Sequence, residues 1–101
     1  MVLLEMSLTP LGKGESVSEY VARCVEVVRG SGLAFELHAM GTIIEGELPD
    51  VLEVLRRCFE VLSADCDRIT CSAKFDYRQG AGGRIQSKVL SVQQKLADSQ
   101  S

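Results

Sequence analysis

Apolar and polar residues alternate with a period of two over three stretches of the chain. The alternation is clearest over residues 68–77, where every second side chain is apolar. Residues 2–8 and 33–40 alternate in the same way, and an apolar segment at 42–47 follows 33–40 directly after Gly41. This period is typical of half-buried β-strands. The pattern therefore predicts four strands, with 33–40 and 42–47 joined as a hairpin.

Three other stretches have apolar residues at helical spacing. The first begins at Ser16, which with Glu19 has the spacing of a capping box, and ends at the glycines of residues 30–32. The second begins at Pro49, and a third, short helix begins at Arg84. Apolar residues at intervals of three and four form one face of an amphipathic helix. In the first helix they are Val17, Tyr20, Val21, Cys24, Val25 and Val28.

The resulting order is β-α-β-β-α-β with a short terminal helix, which predicts an α+β, ferredoxin-like sandwich. Its 101 residues are enough for one domain, which we assign to residues 1–97, with a polar tail at 98–101. Both long helices are expected to cover one face of the sheet. The residues predicted to form the core are Val21, Val25, Phe35, Leu37, Leu55, Phe59, Leu62, Ile69, Cys71 and Phe75.

The opposite face of the predicted sheet is a mixture of apolar and charged side chains. Leu3, Glu5, Ser7, Glu36, His38, Met40, Lys74 and Asp76 are assigned to it. This set is too polar for a core, and its apolar members form a patch that is unfavourable in water. Glu45 and Glu47 follow the hairpin turn, where carboxylates either meet water or hold a cationic group. We expect function, and a contact between subunits, on this face.

Composition excludes some classes of partner. With 11 basic and 14 acidic residues the net charge is −3, and no cluster of lysine and arginine suggests nucleic acid as a partner. No apolar run is long enough to cross a membrane, and the first residues do not resemble a signal peptide. The 4 cysteines form no C-x-x-C pair. We expect a cytoplasmic protein with reduced, buried thiols and no metal or cofactor.

The sequence contains no arrangement of residues typical of an active site. His38 is the single histidine, and no serine, cysteine or aspartate accompanies it in the order of a catalytic triad. Residues 12–16 precede a helix. They can be interpreted either as a flexible loop or as a segment that contacts an anion at the helix N-terminus. The loop lacks the spacing of known phosphate-binding motifs. We therefore expect no enzymatic activity.

Several blocks of the sequence resemble the small thiamine-binding protein family over residues 3–96. The blocks are SLTPLGKGESVSEYVA from Ser7, MGTIIEGE from Met40, KFDYR from Lys74 and KVLSV from Lys88. The resemblance implies a ferredoxin-like subunit, dimers that extend the sheet edge to edge, and tetramers that stack such sheets. It also implies binding of thiamine or its hydroxymethylpyrimidine part, without catalysis.

The predicted ligand-binding residues combine this resemblance with the polar sheet face. They are Glu5, Ser7, Thr42, Glu45, Glu47, Lys74, Asp76 and Arg78. An aminopyrimidine offers N–H donors to carboxylates, and the Thr42 hydroxyl is suited to a ring nitrogen. Lys74 and Arg78 are expected to hold the carboxylates in place. Strand alternation puts Thr42 and Glu45 on opposite faces. The alternative is a structural or regulatory homodimer or homotetramer without a thiamine ligand.

Overall fold

A computed structural model describes residues 1–14, 17–80 and 83–99 of the chain. In this part of the chain the strands are β1 (Val2–Leu11), β2 (Ala34–His38), β3 (Gly41–Gly46) and β4 (Arg68–Tyr77). The helices are α1 (Val17–Gly30), α2 (Leu48–Ser63) and α3 (Arg84–Ser99).

The strands form one antiparallel sheet in the order β2-β3-β1-β4. This is the α+β, ferredoxin-like arrangement that the element order predicted. Leu4 lies opposite Ile44 of β3 and Phe75 of β4, and these three side chains share the face covered by α1 and α2. Thr42 lies opposite Met6 on that face, whereas Glu45 lies opposite Leu3 on the other. The predicted separation of Thr42 and Glu45 is confirmed.

The bounds of three elements differ from the prediction, and one of these is β2, which is Ala34–His38 instead of 33–40. β1 continues through Pro10 to Leu11, where a loop was expected. Beyond Met6, β1 is paired with β4 alone, so a proline there removes no hydrogen bond to β3. The terminal helix has 16 residues, as many as α2, and is not short. The Ser16 half of the predicted capping box lies outside the described residues.

The buried core lies between strands β1 and β3 and helices α1 and α2. Leu4, Ile44 and Leu62 are its largest fully buried side chains. The other members are Val2, Met6, Leu8, Cys24, Val28, Val51, Val54 and Cys58. Successive side chains of β1 point to opposite faces of the sheet, and the even-numbered ones point toward the helices. They are buried because β1 is central in the sheet and both α1 and α2 pack over it.

The predicted core was wrong at several positions. Phe35 and Phe75 lie on the helix-covered face, as expected, but remain 37% and 43% exposed. They belong to the edge strands β2 and β4, and two helices do not cover four strands. Among the other predicted core residues, Leu62 is buried, Val25, Leu55, Phe59 and Ile69 are half-buried, and Val21, Leu37 and Cys71 are exposed.

Candidate functional site

A cavity of about 270 Å³ lies at the end of the sheet beside the β2–β3 turn. Its walls are Met6–Thr9 of β1, Val17, Val21 and Cys24 of α1, and Leu37–Thr42 around the turn. We call it the hairpin pocket. Most of its wall is apolar, and the hydroxyls of serine and threonine supply polar groups within it. Such a mixture is typical of small-molecule sites, in which a few polar groups orient the ligand.

Gly41 allows the turn to come close to β1 at one end of the hairpin pocket. A Cβ atom on this residue would lie 2.7 Å from the Met6 carbonyl oxygen, which is too close for any side chain. Thr42 follows it and is only 6% exposed. Its hydroxyl has no hydrogen-bond partner within the described residues. A hydroxyl that lines a pocket and has no partner in the chain is a group that a ligand can pair with.

Ser7 and Thr9 line the same pocket although alternation assigns them to the opposite sheet face. The reason is that β3 pairs with β1 only as far as Met6, so the sheet is narrower beyond that residue. Residues of both faces of β1 therefore border the cavity at this edge. The hairpin pocket therefore combines Ser7 with Thr42, two of the predicted ligand-binding residues.

His38 forms part of the pocket wall and has one defined tautomer. Its Nδ1 atom accepts the backbone N–H of Met40 at 3.2 Å, so the neutral ring carries its proton on Nε2. That Nε2 is buried and lacks a hydrogen-bond partner in the described part of the chain. It lies 3.6 Å from the Glu5 carboxylate, which is longer than a hydrogen bond. Glu5 is thus placed behind the pocket wall, with a half-exposed side chain.

A second group of polar residues attaches α3 to the sheet. The Glu45 carboxylate accepts the backbone N–H groups of Gly83 at 2.8 Å and of Arg84 at 2.7 Å. The first N–H groups of a helix have no partner within it, and the helix dipole favours an anion there. Glu45 is 5% exposed, and this interaction explains why a carboxylate can be buried on an apolar strand.

Asp76 completes this group, which we call the α3 clasp (Glu45, Asp76, Gly83, Arg84 and Lys88). The Arg84 guanidinium donates to the Asp76 carboxylate at 2.7 Å and to its backbone carbonyl at 3.2 Å. The Lys88 ammonium donates to the same carboxylate. The hydrogen bond from Arg84, followed by that from Lys88, lowers the pKa of Asp76 to about 2.

The remaining predicted site residues lie apart from both groups. Glu47 is exposed before α2, where its backbone carbonyl accepts the N–H groups of Asp50 and Val51. Lys74 and Arg78 are exposed on or beside β4, and neither side chain forms an ion pair within the described residues. The prediction that they hold the carboxylates was wrong, because Arg84 and Lys88 hold Asp76. The eight residues do not form one site.

The terminal helix is attached to the sheet by its first turn. Beyond Ile85 its apolar side chains are exposed, with Val89 at 51%, Val92 at 58% and Leu96 at 58%. A cleft of about 820 Å³ separates α3 from β2, and Glu36 and Val89 are among its walls. Leu3, expected in an exposed apolar patch, is 8% exposed, while Met40 is 81% exposed in the turn.

Residues 1–14, 17–80 and 83–99 contain neither a candidate metal site nor a membrane-spanning helix. No three His, Cys, Asp or Glu side chains are grouped so that they could hold a metal ion. None of the helices combines the length and hydropathy needed to cross a membrane.

The Asp76 interaction predicts a pH dependence of stability. Because the pKa of Asp76 is lower in the folded state than the unfolded value of 3.8, the carboxylate stabilises the fold at higher pH. This contribution begins to fall below about pH 4 and is lost as the pH passes through about 2. Asp76→Asn should unfold at a lower urea concentration than wild type at pH 7. Near pH 2 the two midpoints should coincide.

Asp67→Asn is the matched control, since Asp67 is an exposed aspartate just before the same strand. Its urea midpoint should follow that of wild type at each pH. A constant difference between wild type and Asp76→Asn from pH 7 to pH 2 would contradict the role of the Asp76 charge.

The chain matches a known protein family over most of its length. Residues 4–93 match the model of a family described as thiamine-binding protein. The UPF0045 protein Mb1933 of Mycobacterium bovis is 40% identical over 96 residues, or 94% of each chain. The solved structure of MJ1052 from Methanocaldococcus jannaschii is 37% identical, with a TM-score of 0.83 over 90% of this chain and 94% of that chain. A domain of unknown function from Bacillus cereus is 35% identical, with a TM-score of 0.76 over 87% and 86%.

Sequence reasoning missed three residues that matter to these sites. Cys24 lines the hairpin pocket, but its helical spacing indicated only a core position. Arg84 and Lys88 lie on the C-terminal helix, whose spacing predicted a helix but not its docking site. Lys88 does begin one of the sequence blocks on which the resemblance to the family was based, and this was the available signal.

Proposed function

The chain belongs to the thiamine-binding protein family, and we propose that it binds thiamine, or its hydroxymethylpyrimidine part, in the hairpin pocket without catalysing a reaction. The observation that carries this proposal is the convergence of separate sequence blocks on one cavity. The block beginning at Ser7 contributes β1 and the start of α1, and the block beginning at Met40 contributes the turn and Thr42.

The chemistry of the pocket suits a small aromatic heterocycle. Met6, Leu8 and Leu37 provide apolar walls for a ring, and a volume of about 270 Å³ limits the ligand to one small molecule. The unpaired Thr42 hydroxyl can donate to a ring nitrogen. Ser7 offers an acceptor for an exocyclic amine. Glu45 and Asp76 interact with α3 instead, so we assign ligand contact to Ser7 and Thr42.

The same geometry supports binding without catalysis. In the described residues, the polar contacts of His38 are with the Met40 backbone and with Glu5, so His38 is not paired with a serine or cysteine as the base of a Ser–His or Cys–His arrangement is. All four cysteines are free, which agrees with a reducing compartment and supports the proposed cytoplasmic location.

Replacement of the Thr42 hydroxyl tests the proposal. A ligand nitrogen that loses its buried donor costs about 1–3 kcal/mol, so Thr42→Val should weaken thiamine binding by roughly 5- to 150-fold. Isothermal titration calorimetry with thiamine, and separately with hydroxymethylpyrimidine, measures this effect. The valine has nearly the shape of threonine, so the fold should be retained.

Thr42→Ser is the matched control, because it keeps the hydroxyl and removes only a methyl group. Its affinity should remain close to that of wild type. Equal affinity of wild type and Thr42→Val, with unchanged circular dichroism, would move the ligand away from the hairpin pocket. If wild type binds neither thiamine nor hydroxymethylpyrimidine, the proposed ligand is wrong.

We also propose that the protein is a homo-oligomer, either a dimer or a tetramer. β4 is an edge strand of 10 residues in which Cys71, Ala73, Phe75 and Tyr77 are exposed. Its pairing with β1 runs without a bulge from Arg68 to Tyr77, so its free edge is straight enough to pair again.

The exposed edge of β4 also favours the alternative function, a structural or regulatory oligomer. An oligomer that binds neither thiamine nor hydroxymethylpyrimidine would support that alternative.

A further inference from the structure

Two cysteines from different helices meet in the core beside the hairpin pocket. Cys24 of α1 is 8% exposed and Cys58 of α2 is fully buried. The Cys58 Sγ lies 3.8 Å from the Cys24 carbonyl oxygen, to which its S–H donates. This contact places the Cys58 sulfur against the backbone of Cys24, in the space between α1 and α2.

The two thiols differ in acidity. The pKa of the Cys24 thiol is lowered by its interaction with the Cys58 side chain, which outweighs the opposing effect of burial. The pKa of Cys58 is raised by its hydrogen bond with Cys24 and by burial. Since the thiolate is the reactive form of cysteine, this difference in pKa favours Cys24 as the nucleophile of the pair.

The two thiols also differ in access. Cys24 forms part of the wall of the hairpin pocket, and Cys58 does not. The pocket wall includes Met40, which is 81% exposed, so the cavity reaches the protein surface. A molecule as small as hydrogen peroxide fits easily in about 270 Å³.

We propose that Cys24 and Cys58 are an oxidisable thiol pair, in which hydrogen peroxide enters the hairpin pocket, reacts with Cys24 and leaves a Cys24–Cys58 disulfide. This inference goes beyond ligand binding and does not depend on it, because it requires only the cavity and the two thiols.

The reaction has two balanced steps. The Cys24 thiolate attacks one peroxide oxygen, the O–O bond breaks, and hydroxide leaves and takes up the proton that Cys24 released, which forms water and a sulfenic acid. The Cys58 sulfur then attacks the Cys24 sulfur, the S–O bond breaks, and the Cys58 proton leaves with the hydroxyl group as a second water. Two thiols are oxidised and one peroxide is reduced to two waters.

The test uses the double variant Cys66→Ser/Cys71→Ser, which retains only the proposed pair. Cys58 and Cys66 share one tryptic peptide, so removal of Cys66 makes the assignment of a link unambiguous. After treatment with hydrogen peroxide, intact mass spectrometry should show a loss of about 2 Da, the mass of two hydrogen atoms. A tryptic digest without reductant should join the peptides that contain Cys24 and Cys58, and dithiothreitol should separate them.

Single variants in this background test the role of each thiol. In Cys58→Ser, Cys24 should still react and its sulfenic acid should be trapped by dimedone. In Cys24→Ser, oxidation of Cys58 should be at least about 10-fold slower. Equal rates for the two variants would overturn the assignment of Cys24 as the nucleophile.

Wild type provides an internal control that needs no substitution in the core. Cys66 is buried, its pKa is raised by burial, and it does not line the pocket, so it should oxidise at least about 10-fold more slowly than Cys24. A link from Cys24 to the exposed Cys71 instead of Cys58 would overturn the proposed pair. Recovery of both Cys24 and Cys58 as free thiols, under conditions that oxidise glutathione completely, would overturn the reaction.

Discussion

Replacement of Leu4 with alanine should lower the free energy of unfolding by about 2–5 kcal/mol. Leu4 is fully buried in the central strand β1, between Ile44 of β3 and Phe75 of β4. Both neighbours are held by the sheet, so the cavity left by the missing atoms cannot close completely. The total stability of a domain of this size is about 5–15 kcal/mol, so the loss is a large fraction of it.

Leu52→Ala is the matched control, because Leu52 on α2 is the same residue type at 44% exposure. Its cost should be about 1 kcal/mol or less. Urea unfolding followed by circular dichroism compares the two variants, at one protein concentration because assembly also contributes to stability. Equal losses for Leu4→Ala and Leu52→Ala would contradict the position of the core.

Replacement of Ala73 with lysine should dissociate the proposed oligomer. Ala73 is exposed in the middle of β4, opposite Met6 on the helix-covered face. Pairing of two β4 edges would enclose this position between the joined sheets and the helices above them. A charged side chain there is costly to bury, and natural proteins use lysine at sheet edges to prevent pairing. Light scattering should then give a mass close to the 11.0 kDa of one chain, instead of a multiple of it.

Ala34→Lys makes the same change on the other edge strand, β2, at a position that is also exposed. We expect it to leave the mass of the oligomer unchanged, because β2 offers an edge of only 5 residues. Dissociation by Ala34→Lys and not by Ala73→Lys would place the contact at β2. A wild-type mass of one chain would contradict assembly altogether.

The elements of this fold were largely predictable from the sequence because periodicity is a local property. Alternation located β4 to the residue, at Arg68–Tyr77, and helical spacing located all three helices. Side-chain direction follows from the backbone period, so the sequence also placed Phe35 and Phe75 on the helix-covered face and separated Thr42 from Glu45. The motif blocks pointed to the family over nearly the whole chain.

Which side chains are buried, and which residues contact one another, were in contrast decided by the tertiary structure. Whether Phe75 is covered depends on where α2 lies, and this is set by packing between elements far apart in the sequence. Glu45 meets the start of α3, 38 residues later in the chain, and no local pattern marks that contact. Ser7, Cys24 and Thr42 line one cavity, which lies beside the turn where β3 stops pairing with β1 at Met6. The sequence alone therefore determined the elements and the direction of their side chains, and the packing of the elements against one another determined which side chains share a site.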